Sequence, residues 1–505
     1  MLLGVTYLVF TQVPTGFIPS QDKQYLVSFA QLPYGATLDR TEAVIRQMSE
    51  IAMAEEGVEG AVAFPGLSIN GFINSSSAGI VFVTLEPFEE RRSGELSGFA
   101  IAQRLQQKFG GIQDAFVAVF PPPPVMGFGA IGGFKLQIED RTDQGYEALN
   151  VAVNDVLTKS YERPELAGVF TSYNISVPQL HVDLDRTKAM QLGVDVQSVF
   201  NTMQVYLGSM YVNDFNKFGR TYQVVAQADS EFRSGPDDIL RLQTRNNSGH
   251  MVPLGSLVDV AETTGPETAM RYNAFRAADI NGGPAPGYSS GEAQAAIAEI
   301  LDETLPRGMS FEWTDLTYQE ILSGNTALFV FPICVLLVFL ALAAQYESLF
   351  LPISILLILP MSLLSTILGI WVTGGDNNLF TQISLFVLLA LASKNAILIV
   401  EFARDLERQG RTTTAAAIEA AGLRLRPILM TSFAFIMGVV PLAFAYGAGA
   451  EMRQAMGVAV FYGMLGVTFF GLFLTPVFYV LMRNFEKRIT GTERVLGHEP
   501  EQSHA

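Results

Sequence analysis

Cysteine is nearly missing from this sequence. Cys334 is the single thiol in 505 residues and lies in an apolar block, so neither a disulfide framework nor a cysteine metal centre can be built. Histidine is scarcely commoner. His181, His250, His498 and His504 are scattered along the chain, a pattern that disfavours a metal-exporting site. Basic residues are also short: 32 Lys and Arg stand against 49 Asp and Glu, for a net charge of −17. That balance excludes nucleic acid as a partner, because phosphate binding needs a basic surface. An acidic surface suits cationic ligands, or simply keeps the polar part of the chain in solution. No Walker A sequence, metal-ligand cluster or nucleophile motif occurs, so nothing indicates an enzyme and no cofactor is called for.

What is present in excess is apolar sequence. A hydrophobic fraction of 49% and a mean hydropathy of +0.29 are too high for an ordinary soluble protein of this length, which is itself enough for two to four domains. The apolarity is unevenly placed. Long apolar blocks recur from Thr326 onward, whereas Gln21 to Gln319 has the patterning of a soluble protein.

Within the soluble part, Tyr25 to Gln31 reads as a strand, Leu38 to Met53 as an amphipathic helix opened by Thr37, and Val58 to Phe64 as a strand. The order then repeats: strand at Ile80 to Leu85, helix at Leu96 to Phe109, strand at Ala115 to Phe120. Two β-α-β units of this kind make a ferredoxin-like split arrangement. The small, polar stretch Pro65 to Gly79 between them predicts a mobile loop carrying hydrophobic side chains. Pro121 to Pro124 is a stiff connector. The segment after it, Gly127-Phe-Gly-Ala-Ile-Gly132, matches a dinucleotide fingerprint by letter only, since prolines precede it and a strand follows, so it reads as a hinge.

A second split unit starts with a strand at Phe134 to Ile138, a helix at Tyr146 to Leu157 and a strand near Val169 to Ser172. Its other half comes later, as extended chain at Thr268 to Ile280, a helix at Gly291 to Glu303 and a strand at Ser310 to Trp313. Residues 177–264 therefore form an insertion. It holds a strand at Gln179 to Leu184, helices near Thr187 to Leu192 and Val196 to Gln204, and strands at Tyr211 to Phe215 and Tyr222 to Ala226.

Five spans are expected: Thr326 to Ala344, Ile353 to Val372 around Pro360, Leu379 to Phe402, Pro427 to Ala445, and Met456 to Leu481 around Pro476. The run Met1 to Phe10 is too short to cross a bilayer and lacks the basic start and cleavage site of a secretory signal, so it reads as the end of a cut helix. Arginines in the expected loop Ala403 to Arg426, and Arg483, Lys487 and Arg488 beyond the last span, place both on the cytoplasmic side. The large polar block then lies outside the cytoplasm.

One span carries unexpected charge. Lys394 and Glu401 are seven residues apart within Leu379 to Phe402 and project from one helix face. A mid-span lysine costs about 2.5–3.5 kcal/mol, so it is expected to be buried against an acid or in a wet pathway, the alternative being that it snorkels to the nearer end. Aspartate is absent from all five spans, and Glu401 is the only acid in them.

The stretches Ser393-Lys-Asn-Ala-Ile-Leu-Ile-Val-Glu-Phe-Ala, Leu425-Arg-Pro-Ile-Leu-Met-Thr-Ser, Tyr211-Val-Asn-Asp-Phe, and Tyr318-Gln-Glu with Leu322-Ser-Gly-Asn together resemble the resistance-nodulation-division (RND) multidrug efflux transporters of the inner membrane. The resemblance is to the hydrophobe/amphiphile efflux type (MexF/AcrB-like), C-terminal half only, and the proline run is closer to the MexF branch. It implies an α+β membrane protein: ferredoxin-like periplasmic porter subdomains with an inserted docking subdomain, plus an α-helical transmembrane bundle. The implied boundaries are a partial transmembrane helix at 1–14, one porter subdomain at 15–125, a second at 126–176 with 265–315, docking at 177–264, five transmembrane helices at 323–488, and a cytoplasmic tail at 489–505.

The resemblance also implies a function: secondary active, proton-driven export of amphiphilic drugs by a homotrimer working with a periplasmic adaptor and an outer-membrane channel. Carried over by position, Lys394, Arg424 and Thr431 are proton-relay residues, and Val62, Phe64, Leu67, Ile69 and Phe82 line a substrate pocket. The aspartate pair of the family's relay is missing here, which implies that the chain alone is inactive. Aliphatic Val62, Leu67 and Ile69 also make that pocket poorer in aromatics than usual. A membrane-anchored periplasmic assembly protein without transport is the competing reading.

Overall fold

The computed structural model describes residues 2–129, 132–324 and 326–490. Outside these lie nearly all of the tail expected at 489–505, His498, His504, and the centre of the Gly127–Gly132 segment. Tyr173–Ala269 forms one compact unit, and the remaining described residues form the other.

Helix α1 (Leu2–Phe10) precedes a first sheet built from β1 (Tyr25–Gln31), α2 (Leu38–Met53), β2 (Val58–Leu67), β3 (Asn74–Leu85), α3 (Gly98–Phe109) and β4 (Phe116–Phe120). The strands run antiparallel in the order β2-β3-β1-β4. Both helices cover one face. Thr41, Val44, Ile45, Met48 and Ala52 recur at helical spacing on α2, and Ile101, Leu105 and Phe109 do so on α3. They meet Leu26, Ala30, Val81, Val83 and Val117 from the sheet.

The stretch expected to be a mobile loop is mostly a paired hairpin. Strand β2 runs on to Leu67, β3 begins at Asn74, and Leu67 pairs with Asn74. Its small residues answer a packing demand, because a Cβ on Gly79 would stand 2.5 Å from Ile45 Cγ1 of α2. Ser75 and Ser77 are buried there too, and Thr41 donates to the Ser76 carbonyl at 2.5 Å.

The second sheet uses β5 (Phe134–Asp140), α4 (Tyr146–Ser160) and β6 (Leu166–Phe170). The chain then enters the other unit, which contains β7 (Val177–Leu184), α5 (Arg186–Gln191), α6 (Val196–Met203), β8 (Met210–Lys217), β9 (Arg220–Ala226), α7 (Pro236–Arg241), β10 (Gln243–Arg245), β11 (Met251–Pro253) and β12 (Val258–Gly265). There β7 pairs with β12 and β8 with β9, around a small core of Ala189, Val194, Val199, Leu254 and Leu257. Aspartates cap its helices: Asp185 accepts from Lys188 N at 2.9 Å, and Asp195 from Ser198 N at 3.1 Å.

Strands β13 (Arg271–Tyr272) and β14 (Phe275–Pro284), helix α8 (Ser290–Thr304) and β15 (Met309–Trp313) complete the second sheet. Its order is β13-β14-β5-β15, with β6 also paired to β14. Leaving out the short β13, this is the first sheet's order over again. A capping box starts α8: Glu292 N donates to Ser289 Oγ at 3.3 Å, and Ser289 N to Glu292 Oε2 at 2.8 Å.

Helix α9 (Asp315–Ser323) leads into α10 (Thr326–Tyr346), α11 (Phe350–Leu356), α12 (Leu359–Val372), α13 (Leu379–Arg408), α14 (Thr413–Ala443) and α15 (Ala450–Thr490). By length and composition these give five stretches able to cross a membrane among the described residues, with α11 and α12 counted as one. The break between that pair falls just before Pro360, which has no N–H to continue the ladder. Helix α1 packs on α12, and Val13, just beyond α1, meets Ile367 and Ile370 of α12 and Ala459 of α15.

Small residues bring the long helices close. A Cβ on Gly457 would lie 2.3 Å from Ala443 N of α14, and one on Gly466 1.8 Å from Ser365 Oγ of α12. The expected basic loop Ala403 to Arg426 is instead a helical turn-around, with only residues 409–412 outside α13 and α14. Glu407 anchors this turn to α15. Its carboxylate accepts from Thr413 Oγ1 at 2.9 Å, Tyr479 Oη at 2.7 Å and Arg483 Nε at 3.0 Å, and pairs with Lys487 Nζ at 3.0 Å.

Candidate functional site

Because two helices cover one face of the first sheet, its other face is left to side chains of opposite parity. Register puts Val62 beside Phe82 and Phe64 beside Ile80 on β2 and β3, Phe82 beside Val27 and Ile80 beside Phe29 on β1, and Val27 beside Phe120 and Phe29 beside Ala118 on β4. This is one continuous apolar surface. Val62 and Phe64 at its outer edge are 51% and 42% exposed, and the Phe64 ring meets Phe82 edge-on at 5.8 Å. Ile69 is buried, and Leu67 and Phe82 pack with it against Val27, Phe29 and Ile80. All five pocket residues named from the sequence thus fall on this face or the hairpin bordering it.

The aromatics that those positions lack come from elsewhere. Phe29 stacks on Phe120 at 6.0 Å and lies 5.3 Å from Phe170 of the second sheet, and Phe116 closes the group at 6.1 Å from Phe29. Alternation along β1 and β4 would have found Phe29, Phe116 and Phe120, because they share parity with Val27 and Ala118. Phe170 could not be found that way, since it belongs to the other sheet.

Beyond this aromatic group the two sheets bound a cleft of about 520 Å³. Phe99, Phe116, Phe120 and Phe134 supply its aromatic walls, Gln294 of α8 and Glu320 of α9 its polar side. A concave, mainly apolar space with a few polar groups is the usual form of a small-molecule site. Burial raises the Glu320 carboxyl pKa, hydrogen bonds from Gln294 and Ser290 oppose this in part, and the charge of Asp376 adds to the rise.

The hairpin between β2 and β3 is tied to the second sheet by hydrogen bonds. Asn70 Nδ2 donates to Ser172 Oγ, and Ser172 donates to Asp279 Oδ1. Asn281 Nδ2 donates to the other Asp279 oxygen at 2.5 Å.

The first sheet is also linked to the helices. Tyr446, between α14 and α15, donates to the carbonyls of Phe88 and, at 2.7 Å, Arg91. Glu451 of α15 accepts from Asp22 N at 3.2 Å. Asp22 in turn holds Arg91 and caps α3 by accepting from Gly98 N at 2.6 Å.

The three positions named for proton relay are not joined. Lys394 is exposed and makes no ion pair or hydrogen bond among the described residues, so of the settings expected for it, an acid partner or a wet pathway, the acid is not met within this chain. The reason is angular: the buried stripe of α13 runs through Leu389, Ala392, Ser393, Ala396, Ile399 and Ala403, and Lys394 falls outside it. Asn395, one residue on, does reach α14, donating to Ser432 Oγ at 3.2 Å. Arg424 lies over the Phe402 ring of α13 at 3.6 Å, and its Nε is buried without a hydrogen-bond partner among the described residues. Thr431 is exposed and donates to the Ile428 carbonyl at 3.1 Å within its own helix.

A family model described as the AcrB/AcrD/AcrF family matches residues 1–483. The chain is 40% identical to the Multidrug/solvent efflux pump membrane transporter MepB of Pseudomonas putida over 483 residues, 95% of this chain and 45% of that protein. It is 37% identical to the Multidrug export protein AcrF of Escherichia coli (strain K12) over 487 residues, 96% of this chain and 47% of that protein. The Multidrug resistance protein MdtF of the same organism is 36% identical over 485 residues, 95% of this chain and 46% of that protein. The chain spans about half the length of the relatives it matches.

Proposed function

Since the chain belongs to the AcrB/AcrD/AcrF family of RND efflux transporters, we propose that it supplies one half of a proton-driven drug:proton antiporter exporting amphiphilic compounds. The observation that carries this reading is the helix-free aromatic face of the first sheet, continuous with the cleft between the two sheets. In it these sheets are ferredoxin-like porter subdomains, 177–264 is the docking insertion, and the polar part lies in the periplasm above an inner-membrane bundle. The working assembly is a homotrimer with an adaptor and an outer-membrane channel.

Lys394, Arg424 and Thr431 form the chain's side of the proton relay. Their present separation fits a relay whose acids come from other helices. An acid approaching the exposed face of α13 would pair with Lys394, and its protonation would release that pair. Rearrangement of α14 and α15 would then reach the first sheet through Tyr446 and Glu451.

Co-expression with a matching N-terminal half tests the proposal. Drug export should appear only with both halves and should disappear with Lys394→Ala. Export by the purified chain alone, or export that survives Lys394→Ala, would refute it.

A further inference from the structure

Glu320 is the only charged residue among the described residues that line the 520 Å³ cleft. Its carboxylate accepts from Ser290 Oγ at 3.2 Å through one oxygen and from Gln294 Nε2 through the other. Both donors are neutral. No ion pair satisfies the charge among the described residues, and Asp376, the other ionisable group acting on it, has the same sign. A half-buried carboxylate without a cation is costly, and it leaves acceptor capacity unused. The same cleft is lined by Phe99, Phe116, Phe120 and Phe134, and aromatic ring faces also attract cations.

We propose that Glu320 makes this cleft selective for amphiphiles carrying a positively charged nitrogen, with the apolar body against the rings and the cation beside the carboxylate. This rests on the reading of the cleft as a substrate site. The competing role for Glu320, fastening α9 to α8, needs only hydrogen bonds. Glutamine can supply those without the charge.

The test compares two dansyl probes with the same alkyl chain, one ending in trimethylammonium and one in a hydroxyl. Binding to the full chain in nanodiscs is read by fluorescence polarisation against empty nanodiscs. Glu320→Gln should weaken the cationic probe about tenfold and the hydroxyl probe less than about twofold, and Glu320→Asp should keep most of the discrimination. Equal loss for both probes, or no loss for either, overturns the proposal. Phe120→Ala separates the two levels of the argument. If it weakens both probes while Glu320→Gln does not discriminate, charge selection alone fails. If it weakens neither, the cleft is not the substrate site and both readings fail.

Discussion

Arg91 grips Asp22 with two prongs, its Nη1 2.9 Å from one carboxylate oxygen and its Nη2 3.2 Å from the other. The Arg91 side chain is 1% exposed and that of Asp22 10%, so neither charge has water to fall back on. Removing one partner strands the other. Arg91→Ala should therefore cost about 3 kcal/mol, seen as a lower unfolding midpoint of the solubilised chain. A change no larger than that of the exposed Arg40→Ala would show the pair to be inert.

The same pair sets a pH dependence. Burial pushes the Asp22 carboxyl up, but the Arg91 guanidinium and the amides of Gln24 and Gly98 outweigh it and hold the group below its ordinary range. A carboxyl depressed in the folded state stabilises fully above its unfolded value of about 3.9, and loses that contribution as pH falls through the lower folded value. Unfolding midpoints followed from neutral pH into this acid range should fall less in Asp22→Asn than in the parent, because the variant has already lost the term. Parallel curves would contradict this.

Ser172 connects the β2–β3 hairpin to Asp279 through a single hydroxyl. Ser172→Ala should cost about 1 kcal/mol and raise amide exchange at residues 68–73, while leaving the paired β1 strand protected. Unchanged exchange at the hairpin would mean that side-chain packing alone holds it.

Glycines on α15 offer a contrast within one helix. Gly457→Ala drives a methyl into the backbone of α14 and should cost at least about 2 kcal/mol, whereas Gly471→Ala meets nothing within 4 Å and should be neutral. Solubilised yield and thermal midpoint read both, and equal effects would rule out close helix approach as the cause.

Which parts could be read in the sequence depended on how local their causes were. The helix over Leu38 to Met53 carries its period openly, because one face of it is buried, whereas the strand over Tyr25 to Gln31 shows as a short apolar run bounded by polar residues, because both of its faces are covered. Residues 65–79 misled, because small polar residues signal mobility only when nothing packs on them, and here α2 does. Lys394 shows a related gap: helical spacing shows which residues share a face, not whether a neighbour covers it. Glu320 stood only as a letter of the Tyr318-Gln-Glu stretch and gave no sign of a binding site, since only the meeting of α8, α9 and two sheets makes its setting.

The insertion leaves and returns through neighbouring strands. Phe170 pairs with Asn281, and the hydroxyl of Thr171 donates to the Asp279 carbonyl at 2.6 Å, so the ladder between β6 and β14 closes before residue 173 begins. Everything from Tyr173 to Ala269 is therefore, in genetic terms, a cassette. Deletion, exchange with another insert, or new termini opened there would leave the host sheet's pairing intact, so this segment can diversify while the sheet that carries it is inherited unchanged.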